Sequence, residues 1–133
     1  MTLVVDASVV AAALLGAGST GEWAEQVLLE GQLAAPHLLP VEVANILRRA
    51  GAPGQLSRDA ASLAYDELRE MPVELFPYGP VAARIWELRE DVTPCDAWYV
   101  ALAESLQAEL VTLDLRLSRA AGPRCRFRLP PYE

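Results

Sequence analysis

The sequence contains no lysine, so all eleven of its basic residues are arginine. It also has little histidine and cysteine: one His37, and two cysteines, Cys95 and Cys125. The absence of lysine excludes Schiff-base catalysis and the phosphate-binding P-loop, which both need that residue. One histidine is too few for a zinc site of the usual His/Cys kind. We expect two reduced thiols rather than a disulfide, and a structural role for His37.

Long apolar runs are missing as well. No stretch of about 20 apolar residues is present, so the sequence predicts no transmembrane helix and no membrane partner. The segment 1–6 has no basic region ahead of its apolar residues, and we therefore expect no secretory signal and a cytoplasmic location. The 133 residues are 53% hydrophobic and 22% charged. That composition can bury a core without a disulfide or a metal, and it predicts a single domain over residues 1–133.

The net charge of −7 argues at first against a nucleic-acid partner. Its distribution weakens that argument, because the segment 115–133 carries five arginines and one acid. We expect Arg116 and Arg119 to contact either nucleic-acid phosphates or a protein partner, and the sequence does not decide between the two.

Apolar strand patterns alternate along the chain with amphipathic helix patterns. Strands are predicted at 3–5, 32–37, 73–76 and 109–113, with a fifth, edge strand at 125–129. Helices are predicted at 7–15, 22–30, 40–50, 80–89 and 94–106, with another from the Ser57 cap to Glu70 and a short one after Asp114. Within the helix that Ser57 caps, Leu63, Ala64 and Leu68 are predicted to point inward. The alternation predicts an α/β fold with a parallel sheet that helices cover on both faces.

The segment Gly16–Gly21 matches the G-x-G-x-x-G pattern of dinucleotide-binding sites. That pattern has to follow a strand directly, whereas the first predicted strand ends ten residues earlier. Glu42 lies about twenty residues on, as the acid of such a site should, but Pro40 places it inside a helix. We therefore interpret 16–21 as a connecting loop and keep dinucleotide binding as an alternative.

Four acids follow predicted strands or begin predicted helices: Asp6, Glu42, Asp96 and Asp114. All four positions lie at the carboxyl edge of a doubly wound sheet, where ligands bind. Taken singly, each acid could be a helix cap. Apolar residues flank all four, however, and converging carboxylates without lysine partners would repel one another. A divalent cation relieves that repulsion, and an all-oxygen acidic site suits Mg²⁺ or Mn²⁺ rather than zinc.

Three polar residues accompany these acids. Ser8 and Thr112 each place a hydroxyl two residues from a carboxylate, where it could orient that carboxylate or hold a water. For Ser8, simple N-capping explains the sequence equally well. Asn45 lies three residues after Glu42 on the same helix face and could join the same hydrogen-bond network.

Four segments in order carry a family resemblance: 3–8, 36–45, 96–103 and 110–117. Together they resemble the PIN-domain ribonucleases, and within them the VapC-type toxins of bacterial toxin–antitoxin pairs. The resemblance covers nearly the whole chain. It implies a three-layer α/β/α domain with a central, mostly parallel sheet of four to five strands. The glycine segment matches nothing functional in that family.

The resemblance implies a magnesium-dependent endoribonuclease that hydrolyses RNA with a metal-activated water. The family's acids fall on Asp6, Glu42, Asp96 and Asp114, as catalytic residues and ligands of Mg²⁺ or Mn²⁺. Its small hydroxyl residues fall on Ser8 and Thr112. The implied partners are a small VapB-like antitoxin and RNA, in a homodimer or a toxin–antitoxin hetero-oligomer.

Two other classes of function stay open at this point. A catalytically inactive PIN-fold interaction module would keep the fold, although the intact set of four acids argues against it. A nucleotide-binding or phospho-accepting α/β domain would also gather acids at strand ends around magnesium. A phospho-accepting receiver domain needs a lysine at the sheet edge, and this chain has none.

Overall fold

The apolar segments of the chain form one twisted sheet. The structure, a computed structural model, describes residues 1–16, 18–51 and 56–131. Within these ranges five strands pair in the order β3-β2-β1-β4-β5, and every neighbouring pair is parallel. The strands are β1 (Thr2–Val5), β2 (Gln32–Pro36), β3 (Val73–Phe76), β4 (Glu109–Val111) and β5 (Phe127–Arg128). The predicted parallel sheet of four to five strands is confirmed.

The helices fall into two groups by their contacts. They are α1 (Ala7–Leu15), α2 (Gly18–Leu28), α3 (Leu39–Gly51), α4 (Arg58–Glu70), α5 (Ala82–Glu87), α6 (Pro94–Leu106) and α7 (Leu115–Ser118), with a 3₁₀ turn at Gly79–Val81 before α5. Helices α1 to α4 pack against one another, whereas α5 packs on α6, and α6 crosses β1, β2 and β4. None of the helices in the described ranges is long and apolar enough to cross a membrane.

The central strand β1 shows that both faces of the sheet are covered. Leu3, Val4 and Val5 are all fully buried, and successive side chains of a strand point to opposite faces. Helix α6 is apolar nearly all round, which is typical of a helix in the middle of a fold, and it buries most of its residues from Ala97 to Ala103. Truncating a core side chain such as Leu3 to alanine is expected to cost about 2–5 kcal/mol of folding free energy.

The glycine segment differs from its prediction. Gly16, in the left-handed region at φ 60°, ends α1, and α2 begins at Gly18 rather than at residue 22. Gly21 is buried inside α2, and a Cβ built on it would lie 2.8 Å from the backbone carbon of Gly16. The interpretation of 16–21 as a loop is therefore wrong. Gly21 serves the close approach of α2 to the end of α1.

Several element boundaries also shift. Strand β4 ends at Val111 rather than at residue 113, and Asp114 is the N-cap of α7. The helix predicted at 80–89 begins as a 3₁₀ turn and ends at Glu87, and the edge strand at 125–129 contracts to two residues. Leu63, predicted to point inward, is 64% exposed. The Gly-Ala-Pro-Gly sequence at 51–54 predicts a break between helices; residue 51 is the last of α3, and 52–54 lie outside the described residues.

Candidate active site

The four predicted acids meet at one pocket of about 240 Å³ at the carboxyl edge of the sheet. Asp6 follows β1, and Glu42 lies in the first turn of α3 after β2. Asp96 lies in the first turn of α6, and Asp114 caps α7 after β4. Because parallel strands end at a common edge, residues 108 positions apart in the chain become neighbours there. Ser8 and Asn45 line the same pocket.

Three hydrogen bonds fix the carboxylate of Asp6. The Ser8 hydroxyl donates to Oδ1 at 2.5 Å, and the Val9 amide donates to the same oxygen at 3.2 Å. The Thr112 hydroxyl donates to Oδ2. Asp6 is thus itself the N-cap of α1, and Ser8 orients the carboxylate instead of capping. Desolvation raises the pKa of the Asp6 carboxyl above its ordinary value, although all three hydrogen bonds act to lower it.

Thr112 connects the ends of β1 and β4. It is fully buried, and its Oγ1 accepts the Asp114 backbone N–H at 3.0 Å while its hydroxyl donates to Asp6. The Ser8 oxygen likewise accepts the Leu113 N–H at 3.3 Å. The two hydroxyls therefore hold the chain after β4 against the carboxylate after β1. Thr112 therefore bonds the carboxylate of Asp6 across the sheet, whereas it contacts its neighbour Asp114 through the backbone N–H.

Glu42 is held by a residue that the sequence did not single out for function. The Tyr99 hydroxyl on α6 donates to Glu42 Oε1 at 2.6 Å, and Tyr99 is only 2% exposed. Burial, the hydrogen bond to Glu42 and the nearby acids all raise the pKa of Tyr99, so the phenol remains a donor. The only signal in the sequence was a polar hydroxyl on an otherwise apolar helix, one turn after Asp96.

Asp96 and Asp114 form the more exposed side of the pocket. Thr93 caps α6 by accepting the Asp96 N–H at 3.3 Å. Desolvation and the neighbouring charge of Asp114 raise the pKa of the Asp96 carboxyl. Asp114 Oδ1 accepts the Leu117 N–H at 3.1 Å, so this acid is a helix cap as well as a member of the cluster.

The polar residues on α3 differ from prediction in their bonding. The Asn45 side chain accepts two bonds from Arg48, at 2.9 and 3.3 Å, and does not join the Glu42 network. One turn further along, Arg49 lines the acidic pocket. Arg49 is not among the residues predicted from the sequence, although the 42–45–49 spacing on one helix face could have indicated it.

A second cavity of about 600 Å³ adjoins the acidic pocket, and Asp96 and Asp114 line both. Arg89 and Arg116 line this second cavity, together with the turn before α6. Arg116 therefore lies beside Asp96 and Asp114. This position agrees with the predicted contact of Arg116 with RNA or a protein partner. Arg119 lies outside both cavities.

The chemistry of the acidic pocket fits a hard divalent cation, because its donors are carboxylate oxygens with no lysine among them. Burial is the largest cause of the raised pKa values of Asp6 and Asp96, and a neighbouring carboxylate raises each of them further. As placed, however, no three acid, histidine or cysteine side chains in the described part of the chain are arranged to hold one ion. An ion held by three of these carboxylates would require at least one of them to change rotamer, whereas Mg²⁺ commonly binds to one or two carboxylates and several waters.

Cysteine does not add a ligand to this set. Both Cys95 and Cys125 are free thiols, as expected. Burial and the acids Glu42 and Asp96 raise the pKa of Cys95, and burial raises the pKa of Cys125 to about 11. Both side chains are therefore protonated at neutral pH, and neither cysteine lines the acidic pocket.

Comparison with known proteins places this arrangement in a family. The model of the PIN domain matches residues 3–123. Ribonuclease VapC1 of Mycobacterium tuberculosis is 40% identical over 127 residues, which are 95% of this chain and 96% of the relative. The chain belongs to the PIN-domain family, among the VapC ribonucleases.

Solved PIN-domain structures share its fold. The crystal structure of PAE2754 from Pyrobaculum aerophilum superposes with a TM-score of 0.72 at 24% identity, covering 96% of this chain and 83% of that one. VapBC2 from Rickettsia felis, crystallised with a DNA fragment from its promoter, gives a TM-score of 0.69 at 13% identity, with coverages of 97% and 98%. The expected α/β/α fold of a PIN domain, with its central parallel sheet, is confirmed.

Proposed function

We propose that this PIN-domain protein is a divalent-metal-dependent endoribonuclease, and that it acts as the toxin of a toxin–antitoxin pair. The observation that carries the proposal is the pocket in which Asp6, Glu42, Asp96 and Asp114 meet. The similarity to Ribonuclease VapC1 supports RNA as the substrate. We propose further that residues 1–133 act as one domain.

The four acids would hold the metal, Mg²⁺ or Mn²⁺. When bound, such an ion neutralises phosphate charge and lowers the pKa of water near it. Asp6 is the most firmly placed of the four, since three donors fix its orientation. A hydrogen bond from Tyr99 orients Glu42. Asp114, exposed and adjacent to the second cavity, is placed to orient an attacking water or to complete the ligand set.

Metal binding and cleavage can be tested with one substitution. Asp96→Asn keeps the side-chain shape but removes one charge and one good ligand. We expect magnesium to stabilise the wild type by mass action, by about 2.7 kcal/mol of folding free energy at 100 times Kd. This stabilisation raises the melting temperature. The variant should lose RNA cleavage and most of that shift. Without metal it should be at least as stable as the wild type, because an ionised Asp96 is unfavourable in the fold.

A matched control is Asp66→Asn, which makes the same chemical change at an exposed position of α4 outside the acidic pocket. It should retain both the magnesium shift and the cleavage. Each protein is melted in chelator and in millimolar magnesium and then assayed on RNA. Wild-type cleavage that persists in chelator, or a wild type with neither shift nor cleavage, contradicts the proposal.

A small VapB-like antitoxin is the partner we propose. The acidic pocket lacks a lysine of its own, so a partner segment that presents arginine or lysine would complement it. The Rickettsia felis structure is of VapBC2, which supports a two-component assembly here. Co-expression with the neighbouring small gene product should restore growth and give a stable complex. A protein that is harmless when expressed alone and binds no small basic partner contradicts the toxin assignment. The homodimer stays a prediction.

The alternative functions lose support. The glycine segment follows helix α1 rather than a strand, so the structural context of a dinucleotide fingerprint is missing. An inactive interaction module would have no need to keep four acids at one pocket together with the hydroxyls that orient Asp6.

A further inference from the structure

Two arginines lie on either side of the shared acids Asp96 and Asp114. Arg49 lines the acidic pocket, and Arg116 lines the adjoining second cavity. Both are exposed, and neither side chain makes an ion pair or hydrogen bond with another residue in the described ranges. Both guanidinium groups are therefore available to a ligand.

We propose that the two cavities form one path for an RNA strand, with the scissile phosphate at Asp96 and Asp114. Arg49 then binds a backbone phosphate on one side of the cleavage point, and Arg116 binds one on the other side. Both act as positioning residues. This inference rests on the proposed nuclease function and adds to it the route of the substrate.

The charge pattern favours a nucleic acid over a protein segment at these arginines. A guanidinium group binds phosphate through paired N–H donors, and a nucleic-acid strand presents phosphates at regular intervals. The same strand can place one phosphate at the acids, where a cation is required, and the adjacent phosphates at the arginines. A protein ligand would have to present an acidic group to each arginine and a basic group to the acids between them.

Arg116 is freer to do this than the other arginine of the second cavity. Arg89 stacks over the ring of Trp86 at 4.4 Å and donates to the Trp86 carbonyl at 2.8 Å. It also lies 3.8 Å from Glu90. These contacts hold Arg89 in place, so we assign the phosphate contact in this cavity to Arg116.

The first test is binding in the Asp96→Asn background, which prevents turnover. A fluorescent single-stranded RNA is titrated at several salt concentrations, in magnesium. Arg49→Gln and Arg116→Gln should each raise Kd about tenfold, as expected for a lost bond to a charged group. Each should also reduce the slope of log K against log salt by about 0.7, the value for one phosphate contact on a single strand. Arg58→Gln, an exposed arginine of α4 outside both cavities, is the matched control and should change neither quantity.

The second test assigns the two sides. In an otherwise wild-type protein, each arginine variant should raise KM while largely retaining kcat. Substrates are then shortened by removing nucleotides from one side of the cleavage point. Each variant should lose its effect when nucleotides are removed on one side only, and the two should respond to opposite sides. A purely structural role would not depend on substrate length.

The possible outcomes distinguish a failure of the proposed strand path from a failure of the proposed nuclease function. If the wild type does not cleave RNA, the proposed function fails. If the wild type cleaves but the arginine variants bind RNA with unchanged affinity and salt slope, the strand path is wrong. Weakened binding of the antitoxin with unchanged RNA binding would assign the arginines to a protein interface and would overturn the inference. Loss of effect on the same side for both variants would overturn the two-sided path.

Discussion

The buried hydroxyl of Thr112 provides the sharpest test of how the site is built. Thr112→Val keeps the shape of the side chain but removes its bond to Asp6 Oδ2 and leaves the Asp114 N–H without its acceptor. Losing a donor to a charged acceptor costs about 1.5–3 kcal/mol, and losing a neutral bond costs about 0.5–1.5 kcal/mol. We therefore expect the free energy of unfolding to fall by about 2–4 kcal/mol. For a chain of this length that lowers Tm by roughly 6–20 °C.

The effect should depend on pH in a defined direction. Desolvation already raises the pKa of Asp6 in the folded protein, and removing a donor to its carboxylate raises that pKa further. A raised carboxyl pKa means that ionisation costs folding free energy. The variant's deficit relative to wild type should therefore grow as pH rises through the raised folded-state pKa of Asp6, because the unfolded-state value of 3.8 is common to both proteins. It should shrink as acidification protonates Asp6.

Thr112→Ser is the control, because it keeps the hydroxyl and removes one methyl group, at a cost of about 1 kcal/mol. Urea unfolding and thermal melts in chelator, from pH 5 to pH 8, compare the three proteins, and RNA cleavage is measured alongside. The serine variant should retain cleavage, and the valine variant should lose most of it. If valine and serine variants are equally stable at pH 7.5, Thr112 does not hold the Asp6 carboxylate, and our account of the site is refuted.

Two further predictions concern residues that the sequence did not assign correctly. Tyr99→Phe removes the donor to Glu42 and should cost about 1.5–3 kcal/mol of folding free energy. It should also reduce RNA cleavage. Unchanged cleavage in single-turnover assays would show that Glu42 does not need this bond. Gly18→Ala should cost only about 1 kcal/mol, since φ is +64° and nothing lies within 4 Å of the new Cβ. Gly21→Ala should cost considerably more, because its Cβ meets the Gly16 backbone at 2.8 Å. Similar Tm values for the two alanine variants would contradict the packing of α2 on α1. Measurable NAD binding by the wild type would support the dinucleotide hypothesis again.

Local patterns in the sequence determined most of the fold. The run Leu3–Val5 is apolar at every position, which is typical of a strand buried on both faces, and β1 is such a strand. Ser57 and Thr93 are good N-cap residues, and α4 and α6 begin directly after them. The meeting of the four acids was also predictable, because a parallel sheet brings the carboxyl ends of its strands to one edge. Their roles as catalysts and metal ligands stay a prediction.

Tertiary structure decided what local pattern could not. The partners of the acids come from distant segments: Thr112 reaches Asp6 across 106 positions, and Tyr99 reaches Glu42 across 57. The helical state of 18–21 arises because α2 packs closely on the end of α1, which overrides the preference of glycine for loops. Likewise, the arginines of 115–128 look alike in sequence, but only the fold separates Arg116, which lines the second cavity, from Arg128, which is committed to Glu30 and Glu109. Residue type and spacing thus fixed the elements and the edge where the acids lie. The hydrogen-bond partners of the acids, and the choice of which arginines stay unpaired, depend on contacts between segments far apart in the chain. These contacts exist only once the strands have paired into the sheet.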